Sequence, residues 1–155
     1  MAGTLFAADT AIAPAPQEDR VGFPKDYQAK YQILRTVVHE KDSKVVTIYG
    51  NTQAASVTNL TQLPYPYGSI IVMETSSTTN NNKGGFDKDK VSGLHVMRRE
   101  KDFGTAYSTN RSGEWEYVEY RADGSYITPA SKSASCSECH IKAGGSKDFV
   151  YHGRF

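Results

Sequence analysis

Two cysteines and a histidine stand together near residue 140, in the order Cys136-Ser137-Glu138-Cys139-His140. The chain has 2 cysteines in all, so both belong to this segment. On a helix, residues three and four positions apart share one side, so the two thiols and the imidazole would project together. A C-x-x-C-H run is typical of covalent attachment of haem c, in which two thioethers hold the porphyrin and the histidine binds the iron. The segment therefore predicts one haem c per chain, held by Cys136, Cys139 and His140.

Two other interpretations of the cysteines stay open at this point. A structural zinc site would need two further ligands, and the remaining histidines, His39, His95 and His152, are far apart in the sequence and form no second paired motif. A thioredoxin-like dithiol would follow a strand in a β-α-β unit, whereas this motif follows a series of strand patterns. The haem interpretation is favoured over both.

The residues around the motif predict a short helix. Ser135 can cap its N-terminus, and Glu138 stands where the acidic member of a capping box belongs. Gly144 and Gly145 then provide a stop.

The composition indicates one folded domain and excludes one class of function. A chain of 155 residues and 17.1 kDa, with 38% hydrophobic residues, 10 Tyr and 6 Phe, can build a single core. The formal net charge of +1 is too small to hold a phosphate backbone, so nucleic-acid binding has no support. The longest apolar run, 70–73, is too short to span a membrane.

Residues 1–20 differ in composition from the rest of the chain. They are small, rich in Ala and interrupted by Pro, which predicts a flexible leader or the remnant of a signal peptide. Residues 21–155 are then the single haem-binding domain. In bacteria, haem is joined to C-x-x-C-H motifs outside the cytoplasmic membrane, so a periplasmic location is expected.

The elements that must position the motif are mainly strands. Residues 25–35 predict a helix from the spacing of Tyr27, Tyr31 and Leu34, and Asn51 predicts the cap of a second short helix. β-branched and alternating runs predict strands at 36–39, 44–49, 69–75, 91–97, 113–120 and 126–128, with an exposed loop over 76–89. The predicted fold class is α+β, mainly an antiparallel sheet with a few short helices, and the motif helix follows the sheet.

The order of these segments resembles the cytochrome P460 family, which includes the cytochrome c′-beta proteins. The matching segments are 66–74 (PYGSIIVME), 93–97 (GLHVM), 113–117 (GEWEY), 136–140 (CSECH) and 148–150 (DFV). The resemblance implies a homodimer and a high-spin haem with His140 as the proximal ligand and an open distal iron site. It also implies a small diatomic or nitrogen-oxide ligand as the partner of the iron.

Members of this family differ in the chemistry on the distal side of the haem. P460-type members cross-link a lysine, placed shortly after the strand matching 70–74, to the porphyrin and oxidise hydroxylamine, whereas c′-beta members lack the link and bind nitric oxide. Here the first lysine after that strand is Lys83, and residues 127–135 contain no Asp or Glu to accept protons from a substrate. Nitric oxide binding is therefore the favoured function. Hydroxylamine oxidation or peroxidase-like turnover, with electrons passed to a partner cytochrome, is the alternative.

Three further residues are candidates for contact with the cofactor. Strand alternation puts Ile71 and Met73 on one face of the sheet, and that pair or its neighbours should meet the haem. Arg98 could pair with a haem propionate. Met73 or Met97 as a second axial ligand would instead make a six-coordinate electron-transfer protein, although methionine on a strand is more often core filler.

Overall fold

Six strands and three short α-helices form the part of the chain that the structure, a computed structural model, describes, residues 14–151. In chain order they are α1 (Tyr27–Lys30), β1 (Gln32–His39), β2 (Lys44–Gly50), α2 (Thr52–Ala55), β3 (Ile70–Asn80), β4 (Phe86–Arg99), β5 (Trp115–Tyr120), β6 (Tyr126–Thr128) and α3 (Ala134–Ile141). Single turns of 3-10 helix lie at Glu40–Asp42, Leu60–Gln62, Ala130–Lys132 and Gly145–Lys147. None of the helices in residues 14–151 is long and apolar enough to cross a membrane.

The strands form one antiparallel sheet in the order β1-β2-β3-β4-β5-β6, which is also their order in the chain. Each strand pairs with the next one along the sequence, so every connection joins neighbours in the sheet. The predicted fold class is confirmed, because helices are few and short and the helix with the two cysteines follows the sheet.

Two predicted elements are wrong. The helix predicted for residues 25–35 ends at Lys30, and the following residues form β1, because the β-branched run 36–38 pairs with β2 and extends the strand backwards. The loop predicted for residues 76–89 is mostly strand. Thr78 pairs with Lys88 and Asn80 with Phe86, so the ladder of β3 and β4 continues into a segment that is mostly polar and has no alternating apolar pattern.

The sheet has two different faces, set by the alternation of side chains. Ile71, Met97 and Tyr117 are cross-strand neighbours on the face that α3 covers. Val72 and Val96 belong to the opposite face, where they pack against a second apolar cluster. A residue and its successor on β3 therefore belong to different cores.

Residues 15–21 pack against the sheet. Ala15 and Val21 are buried, the hydroxyl of Tyr120 donates to Asp19 at 2.6 Å, and Arg20 forms an ion pair with Glu116. The last residues of the leader predicted for residues 1–20 are therefore docked on the domain, and residues 1–13 lie outside the described part of the chain.

Candidate haem site

The Cys-x-x-Cys-His segment lies on α3, which begins near Ser133 rather than at the predicted cap, Ser135. Ser135 lies inside the helix, so the predicted capping box is wrong, and Ser133 at the cap position makes no side-chain cap hydrogen bond. Its hydroxyl instead donates to the carbonyl of Ala130 and is paired with the hydroxyl of Tyr107, each at 2.7 Å. The start of α3 is thereby attached to buried groups of the core. At the other end, Gly144 has a φ of 86° in the predicted stop.

One side of α3 is tied to the sheet through Ser137, which is fully buried. The backbone N–H of Ser112 donates to the Ser137 hydroxyl at 3.2 Å, and the two hydroxyls are 2.8 Å apart. The hydroxyl of Tyr117 on β5 lies 2.6 Å from that of Ser112. These bonds set the rotation of α3 about its axis, so the motif side chains lie along a cavity between the helix and the sheet.

That cavity has a volume of about 600 Å³ and extends from α3 and β5 to the edge strand β1. Its floor is the sheet face that carries Ile71, Met73 and Met97, and its far end is formed by β1 and β2. The apolar residues of that end are Leu34, Val37, Val46 and Ile48. A cavity of this size with mainly hydrophobic walls suits a large apolar cofactor.

His140 is held by three neighbours. Its Nδ1 lies 2.7 Å from the carbonyl oxygen of Phe149, and because a carbonyl can only accept, Nδ1 must donate. The imidazole packs on the ring of Tyr117, with centroids 4.7 Å apart, and against the edge of Tyr151 at 5.5 Å. Burial lowers the pKa of His140, which favours the neutral ring. The tautomer with Nδ1–H leaves the lone pair of Nε2 for a metal.

Both thiols are free in the structure and line the cavity. Burial, with a further contribution from the charge of Glu119, raises the pKa of the Cys136 thiol to about 11. A thiol with a raised pKa is a poor nucleophile, which disfavours the redox-dithiol interpretation. Within residues 14–151, no cluster of three or more His, Cys, Asp or Glu could hold a metal ion, so zinc gains no support; His152 lies outside the described residues.

The structure brings some of the predicted contact residues to the cavity and leaves one out. Ile71 and Met73 line it, as does Met97. Arg98 is in register with Ile70 on the opposite face, where its guanidinium binds Glu100 at 2.7 Å. Strand alternation turns Arg98 away from the face that carries Met97 and the cavity. Its position therefore does not support the predicted contact with a haem propionate.

Four residues with charged or imidazole side chains lie on the strands of the cavity wall and were not predicted to line it: Arg35, His39, His95 and Glu119. His95, whose side chain keeps 49% of its surface exposed, and Glu119 are cross-strand neighbours with Nδ1 and Oε1 2.6 Å apart. Arg35 lines the cavity together with its neighbour Leu34, because a register shift between Ile33 and Arg35 interrupts the alternation of β1. The β-branched run after residue 35 was the one available signal that β1 existed. Nothing local indicates the register shift.

The residues present fit haem c: two free thiols three positions apart, an imidazole with Nε2 uncommitted, and an apolar cavity beside them. The arrangement defines a c-type cytochrome built on an antiparallel sheet instead of a helical bundle. The chain belongs to the cytochrome P460 family, since the family model described as Cytochrome P460 matches residues 24–152. Membership implies haem and its iron. Comparison with individual curated proteins gave no match.

Proposed function

We propose that this protein is a mono-haem c-type cytochrome whose open iron site binds nitric oxide or a related small nitrogen-oxide ligand. Cys136 and Cys139 form the thioethers and His140 is the protein ligand of the iron. The haem, once attached, supplies a metal coordination position for the ligand. The chain's own residues hold the imidazole, surround the ring and limit which molecules reach it.

The observation that carries the proposal is the position of the lysines. Among the described residues that line the cavity, none is a lysine. Lys88 follows β3 in the chain and reaches back onto the sheet, but it lies on the face opposite the cavity. There it forms an ion pair with buried Glu74 and donates to the hydroxyl of Tyr49 at 3.1 Å. A side chain held there is separated from the cavity by the sheet. The described part of the cavity wall therefore offers no lysine that could form a lysine–porphyrin link of the P460 type.

The far end of the cavity supports a neutral ligand. Leu34, Val37, Val46 and Ile48 offer no hydrogen-bond donor, so they would admit a diatomic gas and disfavour a charged or strongly hydrated molecule. Arg35 and His39 line the same end, but both are exposed residues whose polar groups can stay in water.

One observation favours the second candidate, oxidation of hydroxylamine with electrons passed to a partner cytochrome. His95 and Glu119 form a close acid–base pair on the cavity wall, and such a pair can accept protons released from a substrate. The hydroxyl of Thr128 also donates to Glu119, which fixes the carboxylate.

Absorption spectra and steady-state assays of the haem-loaded protein separate the two candidates. We expect a ferrous high-spin spectrum without a strong red shift, tight binding of nitric oxide, and no hydroxylamine turnover above that of free haem with an artificial electron acceptor. Turnover that is lost in a His95→Leu variant but kept in the matched cavity variant Val46→Ala would establish the second candidate. Sharp low-spin bands would instead indicate a six-coordinate electron-transfer protein with Met73 or Met97 as ligand.

We also propose that the protein is exported to the periplasm and forms a homodimer, as the family resemblance implies. The haem-attachment motif supports export, because thiols that await haem are handled outside the cytoplasm. Subcellular fractionation of the producing cell tests the location. Sedimentation equilibrium of the haem-loaded protein tests the dimer, and a single monomeric species over the whole concentration range would contradict it.

A further inference from the structure

The carbonyl that accepts the hydrogen bond from His140 belongs to a backbone segment in an unusual conformation. Asp148 and Phe149 have φ values of 49° and 58°, so two consecutive residues other than glycine occupy the left-handed region. Each such residue costs about 1–2 kcal/mol. A conformation of this kind persists only where surrounding contacts determine it, and such places are often functional.

The contacts that hold this segment come from three separate parts of the chain. The Asp148 carboxylate accepts the backbone N–H of Tyr65 at 3.0 Å, and the Asp148 carbonyl accepts the indole N–H of Trp115 at 3.0 Å. Arg99 on β4 lies with Nε 3.6 Å from the carboxylate, which is within ion-pair range but too long for a hydrogen bond. Asp148 is buried, so these interactions are shielded from water.

These contacts have a direct geometric consequence for His140. The side chain and carbonyl of Asp148 are both fixed, and the next carbonyl along the chain, that of Phe149, is the acceptor for Nδ1 at 2.7 Å. The ring of Phe149 packs on Gly113 and Gly145, where a β-carbon at Gly113 would come within 3.0 Å of it. The carbonyl is therefore held from both sides.

We propose that Asp148 is a positioning residue, which aims the Phe149 carbonyl at His140 and thereby sets the strength of the bond between His140 and the iron. A strong hydrogen bond from Nδ1 increases the electron density at Nε2 and makes the imidazole a better ligand. A better donor stabilises the ferric state and lowers the reduction potential. This inference rests on the proposed role of His140 as the iron ligand.

The test uses the haem-loaded protein and two readouts that loss of stability alone does not move. These are the iron–histidine stretching band of the ferrous protein, measured by resonance Raman spectroscopy, and the midpoint potential. Asp148→Ala should shift the band to lower frequency and the potential to more positive values. Asp148→Asn should fall between this variant and the wild type, because its amide oxygen still accepts from Tyr65 but carries no charge for Arg99.

Glu74→Gln is the matched control, since Glu74 is also a buried carboxylate and has its own donors on the opposite face of the sheet. It should leave both readouts at their wild-type values. The inference is overturned if Asp148→Ala keeps the wild-type band, or if Glu74→Gln shifts it equally. If Asp148→Ala does not fold, Asp148→Asn and Trp115→Phe replace it, and wild-type values in both overturn the inference. Absence of the band in the wild-type protein would instead refute the proposed ligand.

Discussion

Replacing Lys88 with methionine should destabilise the protein strongly and leave its haem spectrum unchanged. Lys88 is the charged partner of Glu74, whose side chain is fully buried, and it keeps 32% of its own side-chain surface exposed. Removing one partner of a buried ion pair costs about 3–5 kcal/mol. We expect the loss here to be about 2–3 kcal/mol, because Lys88 is partly solvated and Tyr27 and Gln28 still donate to the carboxylate. For a domain of this size, the Tm should fall by roughly 5–10 °C.

The pH dependence gives a second signature of the same ion pair. Burial alone would raise the pKa of Glu74, but hydrogen bonds from Lys88, Tyr27 and Gln28 outweigh it and lower the pKa. In the wild type, the stability that Glu74 contributes is therefore present above its unfolded pKa of about 4.5 and is lost as the pH falls through the lower folded value. Without Lys88, burial should dominate and raise that pKa, so the variant should lose stability as the pH rises from about 5 to 7.

Urea unfolding of the wild type and Lys88→Met, at both ends of that pH range, measures these effects. The exposed neighbour Lys90 supplies the matched control, since Lys90→Met should change the free energy of unfolding by less than about 0.5 kcal/mol. Adding Glu74→Gln to Lys88→Met should recover part of the loss, because no unpaired charge is then buried. A loss below about 0.5 kcal/mol in Lys88→Met would refute the ion pair. A change in the Soret band would show that Lys88 reaches the haem.

Three other variants test the site and the fold. Changing both Cys136 and Cys139 to alanine should remove covalent haem, so the intact mass under denaturing conditions should equal that of the polypeptide; retained mass of one haem would contradict the thioether assignment. Arg98→Ala should leave the haem spectrum unchanged and cost less than about 1 kcal/mol in urea unfolding, because its ion pair is partly exposed on the opposite face. Gly104→Ala should cost about 2 kcal/mol or more by the same measurement, since φ is 75° and a β-carbon would lie 2.5 Å from the carbonyl of Gly113; a neutral result would mean that this turn can rearrange.

The parts of the fold that the sequence predicts are those with strong local patterns. The β-branched runs in β2 and β3 carry their own signals, and the structure has strands at both places. The polar arms of β3 and β4 have no such pattern, because their strand conformation comes from cross-strand pairing such as that of Thr78 with Lys88. The same reason explains β1, where tertiary pairing prevails over a helical spacing of aromatic residues.

The candidate site divides in a similar way. The thiols and imidazole of α3 are recognisable because one helical turn fixes their relation, whatever the rest of the chain does. His95 and Glu119 meet only because β4 and β5 pair in one particular register, and that register joins residues far apart in the sequence. The position of Arg35 on the cavity wall depends on the register shift in β1, and no residue type in that strand indicates the shift. Sequence patterns therefore do not predict which side chains meet across neighbouring strands.

The alternation of β3 has a consequence for how this protein could change over generations. Met73 lines the cavity, and its successor Glu74 is buried on the other face with Lys88. A point mutation at position 73 alters the surroundings of the cofactor and leaves the ion pair in place. A one-residue insertion before it would reverse both faces, moving a carboxylate into the cavity and a thioether against a lysine. Lineages of this protein should therefore diverge in ligand preference by substitution along β3, while the length of that strand between its neighbours stays constant.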